Sequence, residues 1–303
     1  MAQTAGLLKG LRFSIVGPGK VGSSLAHWAV QLGAEAVQIS GRSRGPTEAL
    51  AASLGATAEL LPHTRTEGQD LLLVAVSDHA LPEVTEQLAM VPQAAVALHT
   101  SGSQGASALD PLRASGTAVG TIHPLRAFPE LQQDVGGAIG TVFGIDGDPE
   151  ARETAHRLVA AFKGTAVQLE ESDRLLYHFA ATLAAGGIVT LIAAAEEILE
   201  SRGLPAAVMT GYLRLAQEAL SEVERLGSPV AAITGPVARG DRELVKQQLD
   251  ELGNEVPELV PLVTELARQT LRQLETAGDL NDNRRELRAD LDKLRAVSSF
   301  LDP

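Results

Sequence analysis

Leu11-Arg12-Phe13-Ser14-Ile15-Val16-Gly17-Pro18-Gly19-Lys20-Val21-Gly22 decides the fold. An apolar run of strand length leads directly into a G-x-G-x-x-G turn. Lys20–Leu32 then reads as a helix that Gly33 stops. A strand feeding a glycine turn that opens a helix is the context in which this otherwise weak pattern points to a dinucleotide-binding βαβ unit. Gly17 permits the tight turn, Gly19 lets the backbone approach a pyrophosphate, and Gly22 lets the helix pack on the strand. The free N–H groups and positive end of the helix suit phosphate. Pro18, Lys20 and Val21 complete the turn and stand with the glycines as candidate cofactor-binding residues. A tight strand–helix turn without a ligand is the plain structural alternative.

Working outward, strands and helices alternate. Ala36–Ser40 reads as a strand, Thr47–Leu54 as a helix ended by Gly55, and Asp70–Val76 (DLLLVAV) as an apolar strand covered on both faces. Leu81–Met90 is expected as a helix and Ala94–His99, Ala118–Ile122 and Gly140–Ile145 as strands. Pro149–Phe162 reads as a helix and Thr165–Leu169 as the last strand. This alternation predicts an α/β domain with a Rossmann-type doubly wound parallel sheet over residues 1–169. After it, Ser172–Arg202, Ala206–Leu226, Arg242–Leu252, Pro257–Thr276 and Arg284–Phe300 all read as helices, broken at Gly203-Leu204-Pro205, Gly227-Ser228-Pro229 and Gly235-Pro236. An all-α domain is therefore expected over residues 170–303.

Cofactor choice is read at the end of the second strand. An NAD site usually carries Asp or Glu there for the ribose 2′-OH. This chain has Gly41-Arg42-Ser43-Arg44. With no carboxylate and two arginines able to hold a 2′-phosphate, Arg42, Ser43 and Arg44 point to NADP. Two exposed loop arginines are the alternative.

Ligands of open α/β sheets lie beyond the carboxyl ends of the strands. Ser77 and Asp78 fall there as cofactor candidates, beside His79. His99 and Ser101 of His99-Thr100-Ser101-Gly102-Ser103 fall there as substrate-binding candidates. His123 follows Gly120-Thr121-Ile122. An imidazole titrates near neutral pH and suits proton transfer to a developing alkoxide or amide. A hydrogen-bonded structural histidine is the alternative at each position. In the helical part, Tyr177 and His178 open the first long helix, where exposed first-turn residues are the alternative. Gly186-Gly187 costs roughly 1 kcal/mol per glycine against Ala in a helix interior. That cost fits close helix packing or the approach of a ligand. Thr234–Asp241 (TGPVARGD) is a compact turn in which Asp241 suits a helix N-cap. Arg239 there suits a substrate carboxylate, a plain interhelical loop being the alternative.

Composition narrows the classes. A net charge of −13 over 303 residues, with no offsetting basic cluster, argues against a nucleic-acid partner. The absence of cysteine removes disulfides and thiolate chemistry and suits a cytoplasmic setting. No metal site is expected, since no HxxxH-type spacing occurs. Phe179–Ala195 is apolar but short for a membrane span, and a buried central helix is the expectation. Arg284, Arg285, Arg288 and Arg295 alternate with Glu286, Asp290 and Asp292, which reads as a solvated helix face.

The order GPGKVG, HTSGS, GTIHPLRAF, YHFAA and TGPVARGD resembles a largely uncharacterised family of Rossmann-like proteins with a C-terminal helical domain of unknown function. That family is similar in layout to pyrroline-5-carboxylate reductase and to the 6-phosphogluconate and 3-hydroxyisobutyrate dehydrogenases. The resemblance implies a helical domain of the 6-phosphogluconate dehydrogenase type and dimerisation through it. His99, Ser101, His123, His178, Arg239 and Asp241 match its motif positions, and Gly17, Gly19 and Gly22 its cofactor turn. The hydroxyacid dehydrogenases place a catalytic Lys and Asn on the first long helix. Ser172–Arg202 contains neither, and Gly186 stands where the family pattern suggests Asn. The lysine mechanism is therefore not carried over.

The expectation is an NADP(H)-dependent oxidoreductase that exchanges hydride with a small anionic ketone or imine, or with its alcohol or amine. His178 or His123 serves as proton donor, and His99, Ser101 and Arg239 hold the substrate. The alternative is a non-catalytic NADP-binding sensor or interaction module. A deazaflavin cofactor on the same scaffold is a weaker variant.

Overall fold

The computed structural model describes residues 6–279 and 281–298, with the side chains of the last helix described as far as Leu294. The chain divides into two compact units, residues 1–185 and 186–303. In the first, the elements run β1 (Arg12–Val16), α1 (Lys20–Gln31), β2 (Glu35–Gly41), α2 (Arg44–Leu54), β3 (Thr57–Leu60), β4 (Leu71–Val74), α3 (Leu81–Ala89) and β5 (Val96–His99). They continue with α4 (Asp110–Arg113), β6 (Ala118–Pro124), β7 (Val142–Gly147), α5 (Pro149–Ala161), β8 (Thr165–Gln168) and α6 (Arg174–Thr182). One sheet of eight strands results, in the order β3-β2-β1-β4-β5-β6-β7-β8.

Side chains of β1 and β4 alternate between its faces. Phe13, Ile15, Leu71 and Leu73 join the core beneath α1 and α5, which includes Trp28, Phe143 and Phe162. Val16, Leu72 and Val74 join a second core with Leu81, Leu109 and Val119. Burial on both faces is what the near-continuous apolar strands require.

The Rossmann-type sheet is parallel except between β6 and β7, which run antiparallel. The doubly wound parallel sheet is thus as expected, with this one antiparallel pair added to it. A parallel return needs a covering crossover, usually a helix. The connection after β6 has only a single 3-10 turn, Val135–Ala138. The short edge strand β3 was not expected, and its exposed sequence Thr-Ala-Glu-Leu shows why. The division of units falls after Ala185 rather than at 169/170. Arg174, the first residue of α6, is fully buried and bonded to Thr121 of β6 and Asp146 of β7, which ties α6 to the sheet unit.

The second unit holds α7 (Ile188–Ser201), α8 (Ala207–Leu226), α9 (Pro236–Arg239), α10 (Arg242–Glu255), α11 (Val260–Thr276) and α12 (Asp282–Ser298). Phe300, where the last helix was expected to end, lies outside the described residues. Val245, Leu249, Leu271, Leu287 and Leu291 form its core. Its predicted solvated face is instead cross-linked. Glu286 and Asp290 accept from Arg242, Asp292 accepts from Arg268, and Arg288 pairs with Glu275. Arg284, only 13% exposed, pairs with Asp279 and donates to the Ala238 carbonyl. The Arg295 side chain is outside the described residues.

The expected single helix over 172–202 is a 3-10 turn, α6, a π-helical stretch at Leu183–Gly187, and α7. A Cβ on Gly186 would meet nothing within 4 Å, so tight packing does not explain that glycine. The expected burial is also overturned. Glu171–Ser201 is long and apolar enough to cross a membrane by length and composition, and its most apolar 18-residue window is not buried, although Arg174 and Leu199 are. Leu175, Leu176, Phe179 and Leu183 stand uncovered in the first unit, and Val189 and Leu191 in the second.

Candidate active site

The strand order reverses at β1, between β2 and β4, and a pocket of about 290 Å³ opens at the carboxyl ends there. Gly17, Pro18, Gly19, Arg42, Ser43 and Ser77 are among its lining. The glycines act as their spacing predicts. Gly17 has φ +100°, and a Cβ on it would lie 2.4 Å from the Ala75 carbonyl oxygen. A Cβ on Gly22 would lie 2.3 Å from the Gly17 carbonyl oxygen, so the helix start and the turn touch. At Gly19 the space is open, with nothing within 4 Å. Gly19 caps α1 with no side-chain hydrogen bond, and no acidic residue stands in the first turn. A bare, positively polarised helix end beside open space fits a pyrophosphate.

The other cofactor candidates are sorted by the geometry. Lys20 donates its ammonium to the Pro129 carbonyl and so fastens the loop after β6 to α1. Arg44 turns back along α2 to Glu48 at 3.0 Å, leaving Arg42 and Ser43 at the pocket. Asp78 accepts from the Ser103 hydroxyl, and its carbonyl accepts from the Gln104 amide at 2.7 Å, so it anchors the loop after β5.

His99 does not present itself to a substrate. It is fully buried, its Nε2–H donates to the Gly105 carbonyl at 2.9 Å, and its Nδ1 accepts from the Ser101 N–H at 3.2 Å. Both nitrogens are committed in one neutral tautomer, and burial holds the imidazole down at about 4. Ser101 is also buried, its hydroxyl accepting from the Gln104 N–H at 3.1 Å. Both expected substrate contacts are loop-forming residues instead.

His123 and His178 do come together. Their rings meet edge to face with centroids 5.9 Å apart. The Tyr177 hydroxyl lies 2.9 Å from His123 Nδ1. A Cβ on Gly102 would sit 2.6 Å from His178 Nδ1 and 2.7 Å from His123 Nε2, so both nitrogens face the glycine of the HTSGS loop. His178 Nδ1 is buried with no hydrogen-bond partner among the described residues. Burial first, then repulsion from His178 and Arg174, hold the His123 imidazole down at about 4. Burial pushes the Tyr177 phenol up. His123 is therefore neutral at pH 7. With Tyr177 donating to Nδ1, its proton sits on Nε2. No sequence signal marks Tyr177 or Arg174 for these places. His123, Tyr177 and His178 line a pocket of about 560 Å³.

Arg239 belongs to the second unit, where it is the exposed last residue of α9. Asp241 caps α10 as expected, accepting from the Leu244 N–H at 3.4 Å. Among the described residues no group of three or more His, Asp or Glu is placed to hold a metal.

Comparison with known proteins accords with this arrangement. No curated protein matches the chain. Among solved structures, a Bacteroides fragilis protein described as an NADP oxidoreductase has a TM-score of 0.67 at 22% identity, covering 88% of this chain and 99% of that one. Imine reductase from Myxococcus stipitatus, in complex with NADP+, has a TM-score of 0.61 at 17% identity, covering 86% of this chain and 94% of the other. 1-Pyrroline-5-carboxylate reductase from Streptococcus pyogenes has a TM-score of 0.56 at 17% identity, covering 88% and 98%. Residues 3–124 match the family model for a Rossmann-like domain, and residues 141–277 match the domain of unknown function DUF2520. Two family models thus match the chain side by side, a Rossmann-like domain followed by a domain of unknown function, in the order the sequence motifs lead one to expect.

Proposed function

We propose that the chain is an NADP(H)-dependent oxidoreductase that exchanges hydride with a small anionic ketone or imine, or with its alcohol or amine. The observation that carries this reading is the glycine-lined pocket at the sheet's switch point, with an uncapped helix end aimed into it. Gly17, Gly19 and Gly22 would hold the pyrophosphate, and Arg42 with Ser43 the 2′-phosphate. When bound, NADPH supplies the hydride. His123, kept neutral, offers its Nε2–H to the carbonyl oxygen or imine nitrogen as a hydrogen-bond donor. Tyr177 fixes that tautomer from the other side of the ring. His178, whose Nδ1 has no partner among the described residues, is the group left to give or take the proton. Likeness of fold to M. stipitatus imine reductase, whose complexes hold NADP+ or, in a variant, NAD+, supports a nicotinamide cofactor, and the choice of NADP rests on Arg42 and Ser43.

Titration of the purified chain with NADPH and NADH, followed by calorimetry, tests this. NADPH is expected to bind, with preference over NADH, and Arg42→Ala to erase much of that preference. Binding of neither nucleotide would sink the reading. The absence of Lys and Asn across Ser172–Arg202 favours a second reading, an NADP-binding module without catalysis. That reading requires NADPH binding with no oxidation by any panel of carbonyls and imines.

A homodimer through the helical unit is part of the proposal. Val189, Leu191, Leu213, Leu215 and Leu220 stand uncovered there, more apolar surface than a lone chain ordinarily leaves to water. Sedimentation equilibrium should give twice the chain mass, and Leu215→Glu with Leu220→Glu should give the monomer. A wild-type monomer that instead binds lipid vesicles would overturn the assignment.

A further inference from the structure

We infer that the pocket beside the two imidazoles takes a compact apolar molecule carrying one carboxylate, and that Arg126 holds the carboxylate. The inference rests on the hydride-transfer reading for its meaning as a substrate site, but acid binding is testable without turnover.

The pocket's volume of about 560 Å³ lies within the range of small-molecule sites. Its walls come from two stretches of the first unit, the run His123–Ala127 that ends β6 and leads out of it, and α6 with the π-helical turn that follows. Pro124, Leu125 and Ala127 form one wall, and the other is made largely of alanines, including Ala181 and Ala184. Methyl side chains at these positions leave the volume open. Larger apolar residues would fill it. Polarity is confined to the imidazoles and the tyrosine, to Thr182, and to the guanidinium of Arg126.

Like Arg42, Arg65 and Arg157 of the same unit, that guanidinium has no carboxylate partner among the described residues, and what sets it apart is its place in the wall of this pocket. In the same unit Arg12, Arg44, Arg113 and Arg174 all have carboxylate partners. Arg126 is exposed, and its side chain makes no hydrogen bond or ion pair among the described residues. An exposed arginine without a partner is ordinary on a surface. On the wall of an apolar pocket it is a fork of donors shaped for a carboxylate, in surroundings that strengthen the pair. The chain's charge of −13 sets a repulsive background for anions, so an acidic ligand needs such a local positive centre. Arg126 supplies it on the walls that also hold His123 and His178, whereas Arg239 belongs to the other unit.

Calorimetric titration of the full chain with cyclohexanecarboxylate and with the neutral cyclohexanecarboxamide decides the matter. The acid is expected to bind roughly 10- to 100-fold more tightly than the amide, the range for a hydrogen bond to a charged group. Arg126→Gln should abolish the difference, and Arg126→Lys should keep part of it. Equal affinity for acid and amide, no binding of the acid, or a difference that survives in Arg126→Gln overturns the inference. So does an Arg126→Gln chain that loses NADPH affinity but keeps the acid preference, since the arginine would then belong to the cofactor. Failure of the wild type to bind NADPH, with the acid preference intact, would sink the hydride-transfer reading and leave the carboxylate site standing.

Discussion

Replacing His178 with Ala is expected to lower turnover by roughly 10²- to 10⁴-fold, the usual worth of one positioned proton donor, with NADPH affinity unchanged. The measurement is single-turnover NADPH oxidation, with the first carbonyl or imine that the wild type reduces. The expectation rests on a division of labour between the two histidines. His123 is held down at about 4 by burial and by its positive neighbours, so near pH 7 it has no extra proton to give. His178 has an Nδ1 without a hydrogen-bond partner among the described residues. Tyr177→Phe should cost less, because it removes only the hydroxyl that fixes the His123 tautomer. A His178→Ala chain that turns over like the wild type would show the proton to come from elsewhere.

The same titration behaviour has a consequence for stability. His99 and His123 both carry depressed values near 4 in the fold, against an ordinary 6.5 in the unfolded chain. Between those values the unfolded chain binds protons that the folded chain refuses. Stability is therefore fully present above about pH 6.5 and declines as the pH falls towards 4.

Much of this could be read from the residues, and the parts that could not share a physical cause. The glycine turn was legible because each glycine answers a local steric demand, at Gly17 and Gly22 a backbone oxygen less than 2.5 Å from any Cβ. Strand β4 was legible because burial on both faces makes it continuously apolar, and β1 because it runs straight into the glycine turn. The reversal of β7 was signalled only by what Leu125–Thr141 lacks, a crossover helix. The histidines show the limit more sharply. His99 and His123 both end strands and look equivalent in sequence. Whether a ring nitrogen is consumed depends on the local loop, Gly105 and Ser101 for one and an open pocket for the other. Tyr177 gave no signal because its partner lies 54 positions away. The exposure of the apolar residues along α6 and α7 is illegible for a related reason: their composition is that of a buried helix, and burial depends on contacts that composition does not report.

Arg174 carries the largest expected effect on stability. It is fully buried at the start of α6, donates to the Thr121 hydroxyl, and lies 3.4 Å from the Asp146 carboxylate. Burial works against its charge and pulls its pKa down, with Asp146 acting the other way. A buried pair of this kind contributes little net stability, yet removing one member strands the other. Arg174→Met is expected to destabilise the chain by about 3 kcal/mol, the lower end of the range for breaking a buried pair, because the Asp146 side chain is 20% exposed and keeps some access to water. Chemical denaturation monitored by the Trp28 fluorescence of the sheet unit reads this directly, since Trp28 is buried in its core. The second variant Arg174→Met/Asp146→Asn should recover part of the loss, as no carboxylate is then left unpaired. The guanidinium also has one nitrogen, Nη1, buried without a partner among the described residues. A group so costly to bury is better explained by position than by stability. It pins α6 to β6 and β7, and with α6 it pins Tyr177 and His178 against His123. Arg174→Met should therefore lower kcat more than it raises KM, even at temperatures where the variant is fully folded. A folded variant with wild-type kcat would assign Arg174 to the architecture of the sheet alone.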